Sequence, residues 1–209
     1  SGVGNSAAEQ ATLRDYLISM TAFASLGLTF YTLPFSLSED RRNNRIRLLK
    51  HTPVPMATYY VAKLLRIIIF YVLAIMLNFM VGHFIRHVEM SAQEWLMSGV
   101  LLLLGAMLFL PYGLLLSQIK SPESMSAVSN ICYIGLAMLG GMWMPLSTLP
   151  SWLQSIGKLT PTYHFQHMVT SYLENGKIIS NSLVSLLIYA IVALLVMKWL
   201  SNKKEFGDR

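Results

Sequence analysis

Chemistry in this sequence would have to start from its glycine–lysine steps, its histidines or its single cysteine. The glycine–lysine steps are Gly157-Lys158 and Gly176-Lys177. Neither completes G-x-x-x-x-G-K-[ST], whose glycines let the backbone close on phosphate and whose lysine reaches the terminal phosphates. ATP hydrolysis by that route is therefore closed to this chain. His164 and His167 are spaced i, i+3, and His83 and His87 i, i+4, so either pair could share a metal from one helix face. Two imidazoles without a carboxylate or thiolate in the pattern half-fill a zinc site, and no metal is expected. Cys132 stands alone in an apolar run, which excludes an internal disulfide and a cysteine zinc cluster. There is no H-E-x-x-H, paired-aspartate site or nucleophile elbow. The expectation is a protein that is not an enzyme.

The elements that carry these residues are membrane spans. Of 209 residues, 54% are hydrophobic and 12% charged, about half the charge of a soluble domain. A helix needs roughly 20 apolar residues to cross the hydrocarbon core. Five stretches qualify, at about 17–37, 64–85, 95–119, 124–144 and 178–198. Backbone groups in lipid must be satisfied within the segment, so these are helices, and none alternates like a barrel strand. The expected fold is an all-α polytopic bundle forming a single transmembrane domain. Most lysines and arginines fall in residues 38–63, 120–123 and 198–209, which the positive-inside rule places in the cytoplasm. Residues 1–16, 86–94 and 145–177 then lie outside the cell membrane. The net charge of +6 belongs at lipid headgroups, not on nucleic acid. No cleavable signal peptide is visible, because the start is polar and lacks a basic segment. Five spans from an outside N-terminus point to a further helix upstream.

The first inside loop joins an acidic pair, Glu39 and Asp40, to a basic stretch holding Arg41, Arg42, Arg45, Arg47, Leu48 and Leu49. Thr52-Pro53-Val54-Pro55 ends it, since proline disfavours helix in the residue before it. The stretch reads either as a basic loop on anionic headgroups or as a docking helix, at about 40–52, for a cytoplasmic partner. Far downstream come Gly141-Met-Trp-Met-Pro145-Leu, then Leu149-Pro150-Ser-Trp152-Leu-Gln154, then Thr160-Pro161. Together with Thr52-Pro53-Val54 and Tyr59-x-x-Ala62-Lys63, these segments resemble the ABC type-2 permeases, the membrane subunits of ATP-binding-cassette exporters. The resemblance runs the length of the chain, with two departures. Asn43 and Asn44 stand where the family often has a glycine, and the first of the family's six spans is absent. The resemblance implies a coupling helix set in a groove of a separate ATPase, which binds Mg-ATP while this chain carries no cofactor. It implies two permeases per transporter, identical or paralogous, embedded in lipid. Glu39, Arg42, Arg45, Arg47, Leu48, Leu49, Thr52 and Pro53 are the expected coupling residues.

Two further groups follow from helix faces. Thr21, Ser25, Thr29, Thr32 and Ser36 recur at helical spacing, and Glu39 continues the row. Such a stripe either packs helices through small residues or lines a weakly polar transport path, with Asn78 and Asn130 as further path residues. Gly99, Ala106, Gly113 and Ser117 share a packing face, and Pro111 should kink their helix. The outer segment, at about 145–175, is expected to be a partly re-entrant helical hairpin forming a gate with Pro145, Pro150, Trp152 and Pro161. Thr160-Pro161 starts its second helix and Asn175-Gly176 stops it. No ionisable group sits mid-span, which argues against proton coupling and for an amphiphilic or hydrophobic cargo. The expected function is export of such a compound. An ion-efflux permease or a non-transporting assembly or sensor subunit is the alternative.

Overall fold

A computed structural model describes residues 7–49, 51–53, 55–177 and 180–207, with side chains to residue 200; among these every regular element is helical. Helix α1 is Ala7–Arg42, followed by the short α2, Arg45–Leu49. Then come α3, Met56–Phe84, and α4, Ala92–Leu116, followed by α5, Pro122–Leu139. A 3-10 turn at Leu146–Thr148 leads to α6, Ser151–Gly157, and α7, Pro161–Asn175, and α8, Ser180–Gly207, ends the order. Among the described residues four helices are long and apolar enough to cross a membrane: α1, α3, α4 and α8, the last through Leu200. The remaining expected stretch, 124–144, becomes α5, whose 18 residues include Pro122, Glu123 and Asn130 and fall short of the apolar character of the other four helices' best windows. Its length, about 27 Å at 1.5 Å per residue, still approaches the hydrocarbon thickness.

The helix ends follow from local chemistry. Pro55 precedes α3, which starts at Met56, two turns before the expected span at about 64–85. Ser91 and Glu94 form a reciprocal capping box at the start of α4, each satisfying the other's backbone N–H. Pro111 removes one N–H from α4, and the helix breaks at Phe109 and resumes at Leu110. Thr160 caps α7 by accepting from the Tyr163 N–H at 3.3 Å, with Pro161 in the first turn. Gly176 ends α7 at φ +65°, a left-handed turn that glycine adopts without a Cβ clash.

Helix α1 departs from regularity. A π-helical turn at Leu28–Thr32 precedes Pro34 and adds a residue to the winding. Before this turn the buried face runs through Ile18, Thr21, Ala22, Ser25 and Leu26. Beyond it the buried set is Leu33, Pro34, Leu37, Ser38 and Asp40, offset by about one position from an uninterrupted 3.6-residue period. The predicted polar row therefore leaves the buried face part-way. Thr32 and Ser36 are half-buried and Glu39 is exposed, while Asp40 turns inward.

The bundle is organised around α7, which touches α1, α4, α5 and α8. Its Phe165, Met168 and Val169 are fully buried against a core that includes Leu102, Ala106 and Phe109 of α4. The outer hairpin thus sends its second helix into the bundle, while α6 leaves Trp152 exposed. Helices α3 and α8 bury only 17% of their most apolar windows, against 56% for α1 and 50% for α4. Rows such as Ile69, Leu73, Met76, Leu77 and Met80 on α3 face outward. An apolar surface of that extent has its natural solvent in lipid.

Candidate functional site

The turn after α1 is where charge, burial and a chain reversal coincide. Asn43 ends the helix through its N–H to the Glu39 carbonyl at 2.9 Å, and Asn44 sits at φ +55°. That conformation costs most residues a Cβ clash and is tolerated best by glycine and asparagine. The asparagine pair thus does the backbone work of the glycine that the sequence lacked. Helix α2 follows at once and ends at Leu49, whose carbonyl accepts from both the N–H and the hydroxyl of Thr52, at 3.0 and 2.7 Å. The helix in the loop is therefore five residues, Arg45–Leu49, and not the 40–52 expected of a docking element: residues 40–42 belong to α1 and the asparagine turn intervenes. Lys50 and Val54 lie outside the described residues.

Asp40 holds this corner together. Its side chain is 4% exposed. One carboxylate oxygen receives the Lys63 ammonium at 2.5 Å and the Tyr59 hydroxyl at 2.7 Å; the other receives Arg45 at 3.2 Å. Lys63 also donates to Ser36 at 2.6 Å. One buried charge therefore ties the end of α1 to the start of α3 and to the first residue of α2. A carboxylate in that setting is tolerable only because charged donors surround it. Around it the coupling set faces outward: Glu39, Arg42, Arg45, Arg47, Leu48, Thr52 and Pro53 are exposed and Leu49 is half-buried. No residue of α2 is buried, and Leu48 keeps 65% of its surface open.

The polar row of α1 divides. Thr21, Ser25 and Thr29 are completely buried, and each hydroxyl donates back to the carbonyl four residues earlier. Thr29 also meets the Tyr71 hydroxyl at 2.5 Å. These three are buried within the chain in this structure, the arrangement that packing through small residues requires. Tyr71→Phe should cost about 1 kcal/mol, read as a lower melting temperature of the detergent-solubilised protein. An unchanged melting temperature would show the bond to be dispensable. Asn78 satisfies its amide on its own helix, donating to the Ala74 carbonyl at 2.8 Å. Asn130 is exposed and accepts from the Tyr31 hydroxyl at 2.5 Å, bridging α5 to the π-turn of α1.

Comparison with known proteins bears on this architecture. Residues 5–198 match the family described as ABC-2 family transporter protein. The chain belongs to that family. The permease is also 32% identical over 197 residues to the protein named as the transport permease YvfS of Bacillus subtilis (strain 168), covering 94% of this chain and 80% of that one. No solved structure matches it. The chain is thus a multi-pass membrane permease subunit of an ABC transporter, and its family works with an ABC ATPase.

At the other end of the permease, Pro145 precedes the 3-10 turn, Pro150 precedes α6, and Pro161 lies in the first turn of α7. Thr162 of α7 donates to the Leu136 carbonyl of α5 at 2.6 Å, which fixes the two helices together. His167, half of a sequence-suggested metal pair, has its ring nitrogens 3.2 and 3.3 Å from the hydroxyls of Ser182 and Ser171. Sequence reasoning missed Asp40, Tyr59 and Lys63 as one cluster. The signal was present as an acid at the end of one span and a lysine in the first turns of the next, but the polar row pointed to Glu39, which lies off the buried face beyond the π-turn.

Proposed function

We propose that this permease is the membrane half of an exporter whose ATPase docks on α2. The observation that carries the reading is the combination at the Arg-rich turn: a helix with no buried residue, anchored through buried Asp40 to the ends of two long apolar helices. A push on α2 has a direct route into α1 and α3. On this reading the chain crosses the membrane five times, with residues 38–63 in the cytoplasm and α7 re-entrant from the outer face. Mg-ATP is bound and hydrolysed by the partner. A second permease, identical or paralogous, completes the transporter, and the exposed Tyr31–Asn130 bridge lies on a surface available to it or to cargo. The absence of charge in the middle of the spans favours an amphiphilic or hydrophobic cargo.

Reversing charge at Arg42, Arg45 and Arg47, all exposed, should leave the permease folded and reduce co-purification of its ATPase by more than about tenfold, or roughly 1.4 kcal/mol. Undiminished co-purification and export would remove α2 as the docking element. Cysteines placed at residues 41, 42 and 47 should react with membrane-impermeant maleimide only after the cells are opened. Reaction in intact cells would reverse the topology.

A further inference from the structure

At the end of the bundle away from the Arg-rich turn, a cavity of about 470 Å³ opens between the first turns of α1, the 140–146 loop and α7. Its depth along α1 is set by Asp15. That residue is 25 positions before Asp40, or roughly 37 Å along the helix at 1.5 Å per residue. The cavity and the Asp40 corner therefore lie at opposite ends of the span.

The cavity's charged walls are the carboxylates of Asp15 and Glu174, and no lysine or arginine lines it. Both line the same cavity, and the charge of Glu174 acts unfavourably on Asp15, less strongly than Arg14 acts favourably. Arg14 is the neighbouring cation and also acts on Asp15, but its guanidinium pairs with Glu94 at 3.7 Å and does not line the cavity. Oδ1 of Asp15 is buried without a hydrogen-bond partner. A like-charged pair with an unused buried acceptor is costly when empty and is relieved by a cation.

The remaining walls say which kind of cation. Tyr16, Trp143 and Tyr163 present three aromatic rings to the space. Tyr163 is held by stacking on His167, with ring centroids 5.1 Å apart. Gln166, a polar side chain of the wall, already donates its amide to Ser19 at 2.6 Å. Aromatic faces attract cations and cover apolar bodies. The volume falls within the roughly 300–1,000 Å³ of small-molecule sites and far exceeds a bare ion. Among the described residues no three histidine, cysteine, aspartate or glutamate side chains are grouped to hold a metal.

We propose that this cavity binds an organic cation, its charge between Asp15 and Glu174 and its apolar body against Tyr16, Trp143 and Tyr163. Treating the ligand as cargo near its release point rests on the exporter reading; the binding itself does not.

The test uses the whole permease in nanodiscs of zwitterionic lipid and two probes of nearly equal shape and opposite charge, tetraphenylphosphonium and tetraphenylborate. The cation should bind saturably and the anion should not. Asp15→Asn and Glu174→Gln should each weaken the cation on the order of tenfold, the scale of one lost charge contact in a partly desolvated site. Glu174 is exposed, so Glu174→Gln is decisive even if Asp15→Asn disturbs folding. Equal binding of the two probes, or cation affinity unchanged in Glu174→Gln, overturns the proposal. Failure of the cation to bind while the permease still stimulates ATP hydrolysis by its partner also overturns it, and leaves the exporter reading standing.

Discussion

Asp40→Ala should lower the stability of the permease by about 3 kcal/mol or more, because it leaves the Lys63 ammonium buried without its carboxylate. The Lys63 side chain is only 15% exposed and lies 2.5 Å from Asp40, so water cannot substitute fully for the lost partner. Lys63→Met should cost a similar amount from the other side, leaving Asp40 with the exposed Arg45 and the Tyr59 hydroxyl. The double variant Asp40→Leu/Lys63→Met removes both charges and keeps apolar volume, and should recover most of the loss. Thermal melts in detergent measure all three. The recovered double variant then isolates function from folding. If the carboxylate positions α2, permease-dependent ATPase stimulation stays low although the melting temperature has returned. A single variant that melts like the parent protein would mean that the pair is not holding the corner. Full ATPase stimulation by the stable double variant would mean that α2 is positioned by something else.

The same corner shows how far the sequence could be read. The apolar runs announced the helices, because charge-free stretches of span length have few alternatives. The Arg-rich turn announced itself by composition. The identity of its central acid did not. Reading Thr21 to Glu39 at a constant 3.6-residue period selects Glu39 and leaves Asp40 off the row. The π-turn at Leu28–Thr32 breaks that period and carries Glu39 off the buried face, which leaves Asp40 as the acid that turns inward. Pro34, in the first turn beyond it, removes a backbone donor. Whether a helix answers by kinking or by widening one turn depends on the packing around it, here on Gly113 of α4 against the Thr29 carbonyl. The outer segment was more legible, because Thr160-Pro161 and Asn175-Gly176 are local start and stop signals that tertiary contacts need not reinforce. That α7 would pass into the centre of the bundle was not readable. Its sequence mixes Phe165, Met168 and Val169 with three polar residues, Thr162, Gln166 and Thr170, that find partners on α5, α1 and α7 itself.

Gly105→Val should unseat α7 from that position. A Cβ added at Gly105 would fall 2.2 Å from two ring carbons of Phe165, which is fully buried and packed against Phe109 with ring centroids 5.7 Å apart. The ring is fully buried between α7 and α4, so the added side chain should push α7 away from α4. Overpacking of a dense core typically costs about 1–3 kcal/mol, and the β-branched residue belongs at the upper end. The melting temperature should fall accordingly. Phe165→Leu alone should also destabilise the protein, by leaving part of the ring volume empty. The double variant Gly105→Val/Phe165→Leu should be more stable than the sum of the single losses predicts, since one change fills what the other vacates. Additive losses would show that Gly105 and Phe165 do not share a contact. Because α7 also carries Tyr163 and Glu174, the Gly105→Val protein should lose affinity for tetraphenylphosphonium without losing its ATPase at α2. Loss of ATPase association together with cation binding would instead show that seating α7 is required for the whole bundle to stand.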